Sequence, residues 1–414
     1  MGIFRSGRGL PGWGRPWAVE GPLRGPWLGF QGPKSGEASS PSPERRWTYH
    51  PRLWLSDVDS AQARALRTIK TSCFANGIRI TQAAESRLSE GGRVPLSIHE
   101  YATTGGVTIE LEGGVYVNAP FDEWFCKAPE VVLDIGEGQN GFVVRLGREE
   151  VPARMLRLPG YLGSLDAAGR PISDVAMSHG DRIRLSPVGG CAYACKFCDI
   201  PGKRYVMHPI EQVLAALEGA RHDKALPTRH LLISGGTPLL RDEDSFLRTC
   251  ATVAREARMP VDVMMTPRED VSSIDRLADD GIDGFALNLE IFDPETASKH
   301  AAHKAKLGRD VLAQNIARAV ECTGGKGRVR SLIVVGLEGL EATLEGVEFI
   351  ARLGCDPVLS PFRPAAGTRL SHVHPPTVEF LDAVYDGAVD IASAYGTMVG
   401  PRCVPCQHNT VSFG

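Results

Sequence analysis

The sequence predicts an α/β fold whose main domain contains a parallel sheet. After residue 181, short apolar runs alternate with amphipathic stretches, and this pattern occurs six times in succession. Parallel strands need a crossover helix between them, so six strand–helix units in a row indicate a parallel sheet. Before residue 181, β-rich runs separated by glycine turns predict a small β-rich domain.

Composition limits the class of protein. The chain has 414 residues, a net charge of −3 and 43% hydrophobic residues, which is enough for two or three domains of about 150 residues each. This balance excludes a wholly disordered chain and a basic nucleic-acid binder, so no DNA partner is expected. Neither a membrane-length apolar run nor the layout of a secretory signal occurs in the sequence. We therefore expect a cytoplasmic protein with no membrane partner.

The first part of the chain divides into a leader and a folded segment. Residues 1–46 are rich in Gly and Pro without periodicity, which predicts a disordered leader. Helical spacing begins at Ser56, and a weaker helix is predicted near 80–90. We assign 47–180 to an N-terminal helical and β-rich domain. Its predicted strands are 107–111, 115–119, 131–135 and 142–146.

The main domain is expected to span 181–395. Its predicted strands are 182–185, 230–234, 261–265, 284–289, 329–335 and 357–359. Its predicted helices lie near 209–221, 242–257, 271–280, 309–322, 340–353 and 376–394. The pattern alone allows a doubly wound sheet as well as an incomplete barrel. In both folds, ligands bind at the C-terminal ends of the strands.

Cysteines mark the candidate chemistry. Five of the ten cysteines fall in two short clusters, which favours metal or redox chemistry over a disulfide framework. Cys191, Cys195 and Cys198 form a C-x3-C-x2-C array after the first strand of the main domain. Thiolates suit iron or zinc, and a [4Fe–4S] cube held by three of them leaves one iron open to another ligand. A structural zinc would need a fourth protein ligand, for which His208 is the near candidate.

These three cysteines, with Phe197 before the third, resemble the signature of the radical S-adenosylmethionine (SAM) superfamily. The resemblance implies a partial (βα)6 TIM-like barrel and a [4Fe–4S] cluster that binds SAM. It also implies reductive cleavage of SAM to methionine and a 5′-deoxyadenosyl radical, with an electron donor such as a flavodoxin or ferredoxin. In layout, the barrel is most similar to the biotin synthase and lipoyl synthase type, which implies a small-molecule substrate. The resemblance covers roughly 181–370.

A glycine-rich turn after the second strand extends the resemblance. The segment Gly235, Gly236, Thr237 and Pro238 resembles the family's "GGEP" segment, whose backbone receives the amino group of SAM. Thr237 replaces the acidic residue, so the resemblance supports a backbone contact more than a side-chain contact. A plain strand-end turn is the alternative for this segment.

Further candidates lie on the later strands. Asn288 and Glu290 alternate on the fourth strand and are expected to point into the barrel, where the family binds the SAM ribose. A solvated strand end is the alternative. Residues 335–341 resemble the family's "GxIxGxxE" stretch, which would place the backbone of Gly336 near adenine. Arg363 follows the sixth strand and could supply a cation to SAM or substrate, or form a surface ion pair.

The second cysteine cluster lies in a tail assigned to residues 396–414. Cys403 and Cys406 form a CxxC pair, followed by His408. These residues could hold an auxiliary iron–sulfur cluster or a zinc ion, bind a thiophilic substrate, or form a redox disulfide. We expect the tail to fold back over the open mouth of the barrel. The five single cysteines are predicted to be core residues.

Two other functions remain open at this point. One is an iron–sulfur or zinc regulator or scaffold without SAM chemistry. The other is a radical SAM enzyme that modifies RNA, against which the lack of a basic domain argues. The basic stretch 299–306, which contains His300, His303 and Lys304, is predicted to be a solvated charge run, and a loop that faces the substrate is the alternative.

Overall fold

The structure is a computed structural model that describes residues 60–89, 105–137, 141–325 and 327–413. The expected leader and the start of the first helix near Ser56 lie outside the described residues. The described residues fall in a single compact unit. Among the helices they form, none is long and apolar enough to cross a membrane.

A six-stranded sheet forms the first part of this unit, with two helices beside it. The helices are α1 (Ser60–Asn76) and α2 (Gln82–Ser89). The strands are β1 (Arg79–Ile80), β2 (Val107–Leu111), β3 (Val115–Ala119), β4 (Val132–Ile135), β5 (Phe142–Leu146) and β6 (Glu149–Met155). They lie in the order β1-β4-β5-β6-β2-β3, and every pairing except that of β1 with β4 is antiparallel.

The β-rich region predicted ahead of the barrel is therefore confirmed. The strands predicted at 107–111, 115–119 and 142–146 have these bounds in the structure, and the strand predicted at 131–135 begins one residue later, at Val132. The sequence did not reveal β6, which reads Glu-Glu-Val-Pro-Ala-Arg-Met and buries just Val151 and Ala153. Two small apolar side chains among charged neighbours are too weak a period-2 signal to identify a strand.

The second sheet forms the barrel. Its strands are β7 (Ala176–His179), β8 (Arg182–Leu185), β11 (His230–Ile233), β12 (Val261–Met264), β13 (Gly284–Ala286), β14 (Val329–Val335) and β15 (Asp356–Pro361). The two strands between β8 and β11, β9 (Val188–Gly189) and β10 (Val206–Met207), pair with each other in a separate antiparallel ladder. The sheet order is β15-β14-β13-β12-β11-β8-β7. From β8 to β15 the strands pair in parallel and in chain order.

That strand order decides between the two folds that the pattern allowed. A doubly wound sheet reverses direction at a switch point, whereas chain order maintained over six parallel strands is the order of a barrel. The partial (βα)6 barrel is confirmed, with β7 as an added antiparallel edge strand. The helices are α3 (Ile210–Arg221), α4 (Glu243–Glu256), α5 (Ser272–Asp279), α6 (Pro294–His300), α7 (Ala302–Leu307), α8 (Arg309–Thr323), α9 (Leu340–Ala351) and α10 (Val378–Ala394).

One hydrophobic core runs through both sheets. Helix α1 lies against α10, where Arg67 forms ion pairs with two aspartates. The amino group of Lys70, which is fully buried in α1, donates to the carbonyl oxygens of Gln407 at 3.0 Å and Ser412 at 2.8 Å. The N-terminal part therefore holds the C-terminal tail in place.

Candidate active site and a second thiol cluster

The three-cysteine loop lies at the C-terminal ends of the barrel strands. It connects β9 to β10, directly after β8, and Cys191, Cys195 and Cys198 are all half-buried. The Sγ atom of Cys191 accepts backbone N–H groups from Thr237 at 3.2 Å and Tyr193 at 3.3 Å. Hydrogen bonds of this kind stabilise negative charge on a sulfur atom and tune the potential of a cluster that the sulfur holds.

The glycine-rich turn after β11 lies directly against this loop. A Cβ atom on Gly236 would lie 1.7 Å from the carbonyl oxygen of Gly190, so the two backbones meet at a position that only glycine allows. The amide of Ala192 donates to the carbonyl oxygen of Thr237 at 2.9 Å. The Thr237 hydroxyl is 2.9 Å from that of Thr266. The structure thus brings the 235–238 segment into contact with the cysteine loop.

Phe197 anchors a small apolar cluster next to the thiols. Its side chain is 9% exposed and packs with residues that follow β13 and β15, and Cys195 and Cys198 border the same cluster. Burial, together with the negative charge of Glu290, raises the pKa of each of these two thiols to about 12. Without a cation, both thiols therefore stay protonated at neutral pH. A metal centre that binds them would release protons, which is the behaviour of a ligand thiol rather than of a free nucleophile.

A partly buried ion pair faces the thiols. Lys304 Nζ lies 2.6 Å from Glu290 Oε1, with side-chain exposures of 19% and 12%. The second carboxylate oxygen of Glu290 is buried and has no hydrogen-bond partner among the described residues. Buried polar atoms nearly always have a hydrogen-bond partner. A bound ligand that donates a hydrogen bond to this oxygen would supply the partner that it lacks.

The prediction of a solvated charge run was wrong for Lys304, although Lys299 and Lys306 are exposed. The physical reason is that the segment forms α6 and α7, which pack on the cysteine loop. The carbonyl oxygen of His300 accepts the amide of Lys196 at 2.9 Å, and the ring of His303 lies 5.1 Å from that of Tyr193. An alanine at every fourth position, residues 297, 301 and 305, was the signal that could have revealed this helical packing.

Asn288 and Gly336 have contacts within the fold. The Asn288 side-chain oxygen accepts an amide of the neighbouring strand β14 at 3.3 Å. Gly336 has a φ of 101°, and a Cβ atom there would lie 2.9 Å from the ring of Pro376. The positive φ and the close ring together explain this glycine without a ligand. Their roles toward SAM stay predictions.

Arg363 belongs to a different part of the molecule from the one expected. It is 3% exposed, and it donates to the carbonyl oxygen of Asn118 at 3.1 Å and to Asn409 Oδ1 at 2.6 Å. These contacts tie the end of β15 to the N-terminal sheet and the tail. Arg363 was expected to contact SAM or substrate, or to form a surface ion pair, and these buried contacts correspond to neither expectation.

The CxxC pair lies at the opposite end of the barrel from the one expected. Cys403 Sγ is 2.8 Å from Cys406 Sγ and 3.0 Å from Asp181 Oδ1, and Cys406 Sγ is 3.3 Å from His230 Nε2. Asp181 and His230 stand at the N-terminal ends of β8 and β11. The part of the tail that contains the CxxC pair lies at the base of the barrel rather than its mouth. Gly400, three residues before Cys403, pairs with Pro357 and Val358 near the start of β15.

The partners of the CxxC pair also differ from those expected. His408 Nδ1 lies 2.8 Å from the carbonyl oxygen of Pro405, and the centre of its ring lies 4.1 Å from that of His179, with the two ring planes tilted by 55°. Four other groups, those of Asp181, His230, Cys403 and Cys406, have ligand atoms within 4.8 Å of one another. Sequence reasoning missed Asp181 and His230. The sequence did contain a signal for them. Asp181 directly precedes the first predicted strand and His230 begins the second, and neighbouring parallel strands start at the same edge of a sheet.

Charge is concentrated in this cluster. Although burial opposes a charge on His230, Cys406 and Asp181 raise the pKa of its imidazole to about 9. Burial also opposes a thiolate on Cys406, but the thiol of Cys403 and the positive charges of Arg182 and His230 hold its pKa well below the usual range. Both shifts favour a negative charge on Cys406 beside a positive charge on His230.

Residues 185–350 match the family model described as the radical SAM superfamily. The chain is also 31% identical over 143 residues to a glutamine-hydrolyzing GMP synthase from Shewanella baltica, and 30% identical over 143 residues to that of Shewanella denitrificans. In both cases the alignment covers 34% of this chain and 24% of the relative, so the chain spans about a quarter of the length of these relatives.

Solved structures show more distant likenesses. The hydrogenase maturase HydG from Carboxydothermus hydrogenoformans is 15% identical with a TM-score of 0.41, over 51% of each chain. The radical SAM methyltransferase TsrM from Kitasatospora setae is 18% identical with a TM-score of 0.36, over 46% of this chain and 38% of that chain. At these values, neither likeness bears on what this chain does.

Proposed function

We propose, from the match of residues 185–350 to the radical SAM family model, that the protein is an enzyme that binds a [4Fe–4S] cluster and SAM. The observation that carries the proposal is the cysteine loop at the C-terminal end of the barrel, where Gly236 and Thr237 meet Cys191. Three thiols in one loop offer ligands for three corners of a cube. The fourth corner is left for SAM.

Each part of the site has a separate task in this proposal. Cys191, Cys195 and Cys198 would hold the cluster, which when bound supplies the electron that cleaves SAM to methionine and a 5′-deoxyadenosyl radical. The two amides that donate to Cys191 Sγ fix that sulfur in place. Phe197 and its apolar neighbours exclude water from one side of the thiols. The difficult chemistry belongs to the cofactors, while the chain positions them and keeps the site dry.

The proposed SAM site lies between the 235–238 segment and Glu290. The segment follows β11 at the same end of the barrel as the thiols, so its backbone groups are available to the amino group of SAM. Glu290 Oε2 is the buried acceptor next to Cys195 and Cys198. We assign it a hydroxyl of the SAM ribose, and Lys304 holds the carboxylate in position through Oε1.

The change Glu290→Gln should weaken SAM binding about tenfold, or about 1.4 kcal/mol, because a charge-assisted acceptor becomes a neutral one. Isothermal titration calorimetry on reconstituted protein measures this. Asp275→Asn is the matched control, because it removes one carboxylate charge from an ion pair between α5 and α8 on the outer surface. If Glu290→Gln binds SAM as tightly as wild type, Glu290 serves only as the partner of Lys304.

The chemistry of the proposed cluster bears on the substrate and on the reductant. We propose a small-molecule substrate and a reductant such as a flavodoxin or ferredoxin, since the cluster must be reduced before it can act. A reducing, cytoplasmic setting agrees with the ten cysteines, all of which are described and free. The net charge of −3 gives no support for a DNA or RNA substrate.

Wild-type protein tests the proposal. After anaerobic reconstitution with iron and sulfide, the chain should bind SAM and, with dithionite, form 5′-deoxyadenosine and methionine in equal amounts. High-performance liquid chromatography of the quenched reaction measures both products. A reconstituted protein that neither changes its spectrum with SAM nor forms 5′-deoxyadenosine would instead be an iron–sulfur regulator or scaffold.

A further inference from the structure

We propose that Asp181, His230, Cys403 and Cys406 form a structural zinc site at the base of the barrel. This site is separate from the three-cysteine loop, which lies at the other end of the same strands. Of the four residues, only His230 lies within the radical SAM match at 185–350. The inference therefore stands independently of the proposed function.

The donor atoms have the spacing of a single ion's ligands. One ligand atom from each residue lies within 4.8 Å of the other three. The measured separations extend from 2.8 Å between the two sulfur atoms to 3.8 Å between Cys406 Sγ and Asp181 Oδ1. Zinc bonds of about 2.0–2.3 Å in a tetrahedron place neighbouring ligand atoms roughly 3.3–3.8 Å apart. Small side-chain adjustments would therefore complete the tetrahedron.

The chemistry of the donors selects zinc over an iron–sulfur cluster. Iron–sulfur clusters are held by cysteine thiolates, in some cases with two histidines. The present set has two thiolates, one imidazole and one carboxylate, and zinc accepts all three types. Because the protein supplies four ligands, the zinc has no open position, and this arrangement is that of a structural rather than a catalytic site.

The surroundings resemble those of a metal ligand shell. Asp181 directs Oδ1 toward the cluster, while its Oδ2 accepts a hydrogen bond from Arg229 Nε at 2.7 Å. Outer hydrogen bonds of this kind orient ligating carboxylates. Asp181, His230 and Cys406 are each less than a tenth exposed. Two thiolates and one carboxylate around Zn²⁺ leave a single negative charge, which the guanidinium of Arg229 offsets.

The site would close the barrel at its base. In the sheet, β8 and β15 are the first and last parallel strands and are separated by four others. Arg402 pairs with Asp356 at the start of β15 at 2.6 Å, and the next residue, Cys403, reaches Asp181 just before β8. The tail therefore passes from the last strand to the first, and a zinc ion would fix that crossing.

Metal analysis of the full chain tests the inference. Protein from zinc-supplemented cells should contain about one zinc per chain, measured by inductively coupled plasma mass spectrometry. The variant Cys403→Ser/Cys406→Ser should retain less than about a tenth of that zinc. The variant Cys191→Ala/Cys195→Ala/Cys198→Ala should keep it, while losing the iron that the proposed function requires. Failure of one proposal can thus be distinguished from failure of the other.

Two histidine variants and a probe ion sharpen the test. His230→Gln should lose the zinc, whereas His408→Gln should keep it. Wild-type protein loaded with Co²⁺ should show thiolate-to-cobalt absorption, and this readout needs no variant to fold. Cys322→Ser is the control for loss of an unrelated thiol. Two results would overturn the proposal. One is that Cys403→Ser/Cys406→Ser loses iron instead of zinc, and the other is that wild-type protein takes up neither zinc nor cobalt.

Discussion

Replacing Cys198 by alanine is expected to abolish formation of 5′-deoxyadenosine and to lower the iron of reconstituted protein from about four atoms per chain to nearly none. The reason is that each of the three thiols would hold one iron, so the loss of one thiol leaves one corner of the cluster without its protein ligand. Cys191→Ala and Cys195→Ala should have the same effect. Iron and sulfide analysis and product chromatography measure it.

Two control variants separate this effect from general damage. Cys322→Ser removes a half-buried thiol from α8, and Cys126→Ser removes another half-buried thiol from the connection between β3 and β4. Both should keep the full iron content and form 5′-deoxyadenosine. Cys198→Ala protein that retains all its iron and still cleaves SAM would contradict the assignment of this loop.

The features that the sequence predicted well are those that depend on local pattern. Six strand–helix units specify a parallel sheet, and the C-x3-C-x2-C spacing places three thiols in one loop whatever the rest of the chain does. In each case a short stretch of chain contains the information.

The features that the sequence did not reveal depend on segments far apart in the chain. Arg363 donates to Asn118, 245 residues earlier, and Cys403 reaches Asp181 across 222 residues. No spacing within one segment encodes such a contact. Lys304 was missed for a related reason. A lysine is typically exposed, and only the fold shows that the partly buried carboxylate of Glu290 lies beside this one.

Replacing Gly236 by alanine is expected to reduce the rate of 5′-deoxyadenosine formation about a hundredfold and to lower iron retention. The added Cβ atom would lie 1.7 Å from the carbonyl oxygen of Gly190 and 2.8 Å from the Cα atom of Cys191. Both contacts are with backbone, so no side chain can move aside, and the loop must shift by more than about 1 Å. A displacement of that size at a reacting centre costs about two orders of magnitude in rate.

Gly202→Ala is the matched control for this effect, because Gly202 lies in the same connection between β9 and β10 and a Cβ atom there meets no atom within 4 Å. It should leave iron content and rate unchanged. Stability must be measured for both variants, since overpacking costs about 1–3 kcal/mol and a general loss of folding would also lower activity. Gly236→Ala protein that melts like Gly202→Ala but loses iron locates the damage in the cysteine loop. If Gly236→Ala retains wild-type iron and rate, the close approach of the two backbones is not needed to hold the cluster.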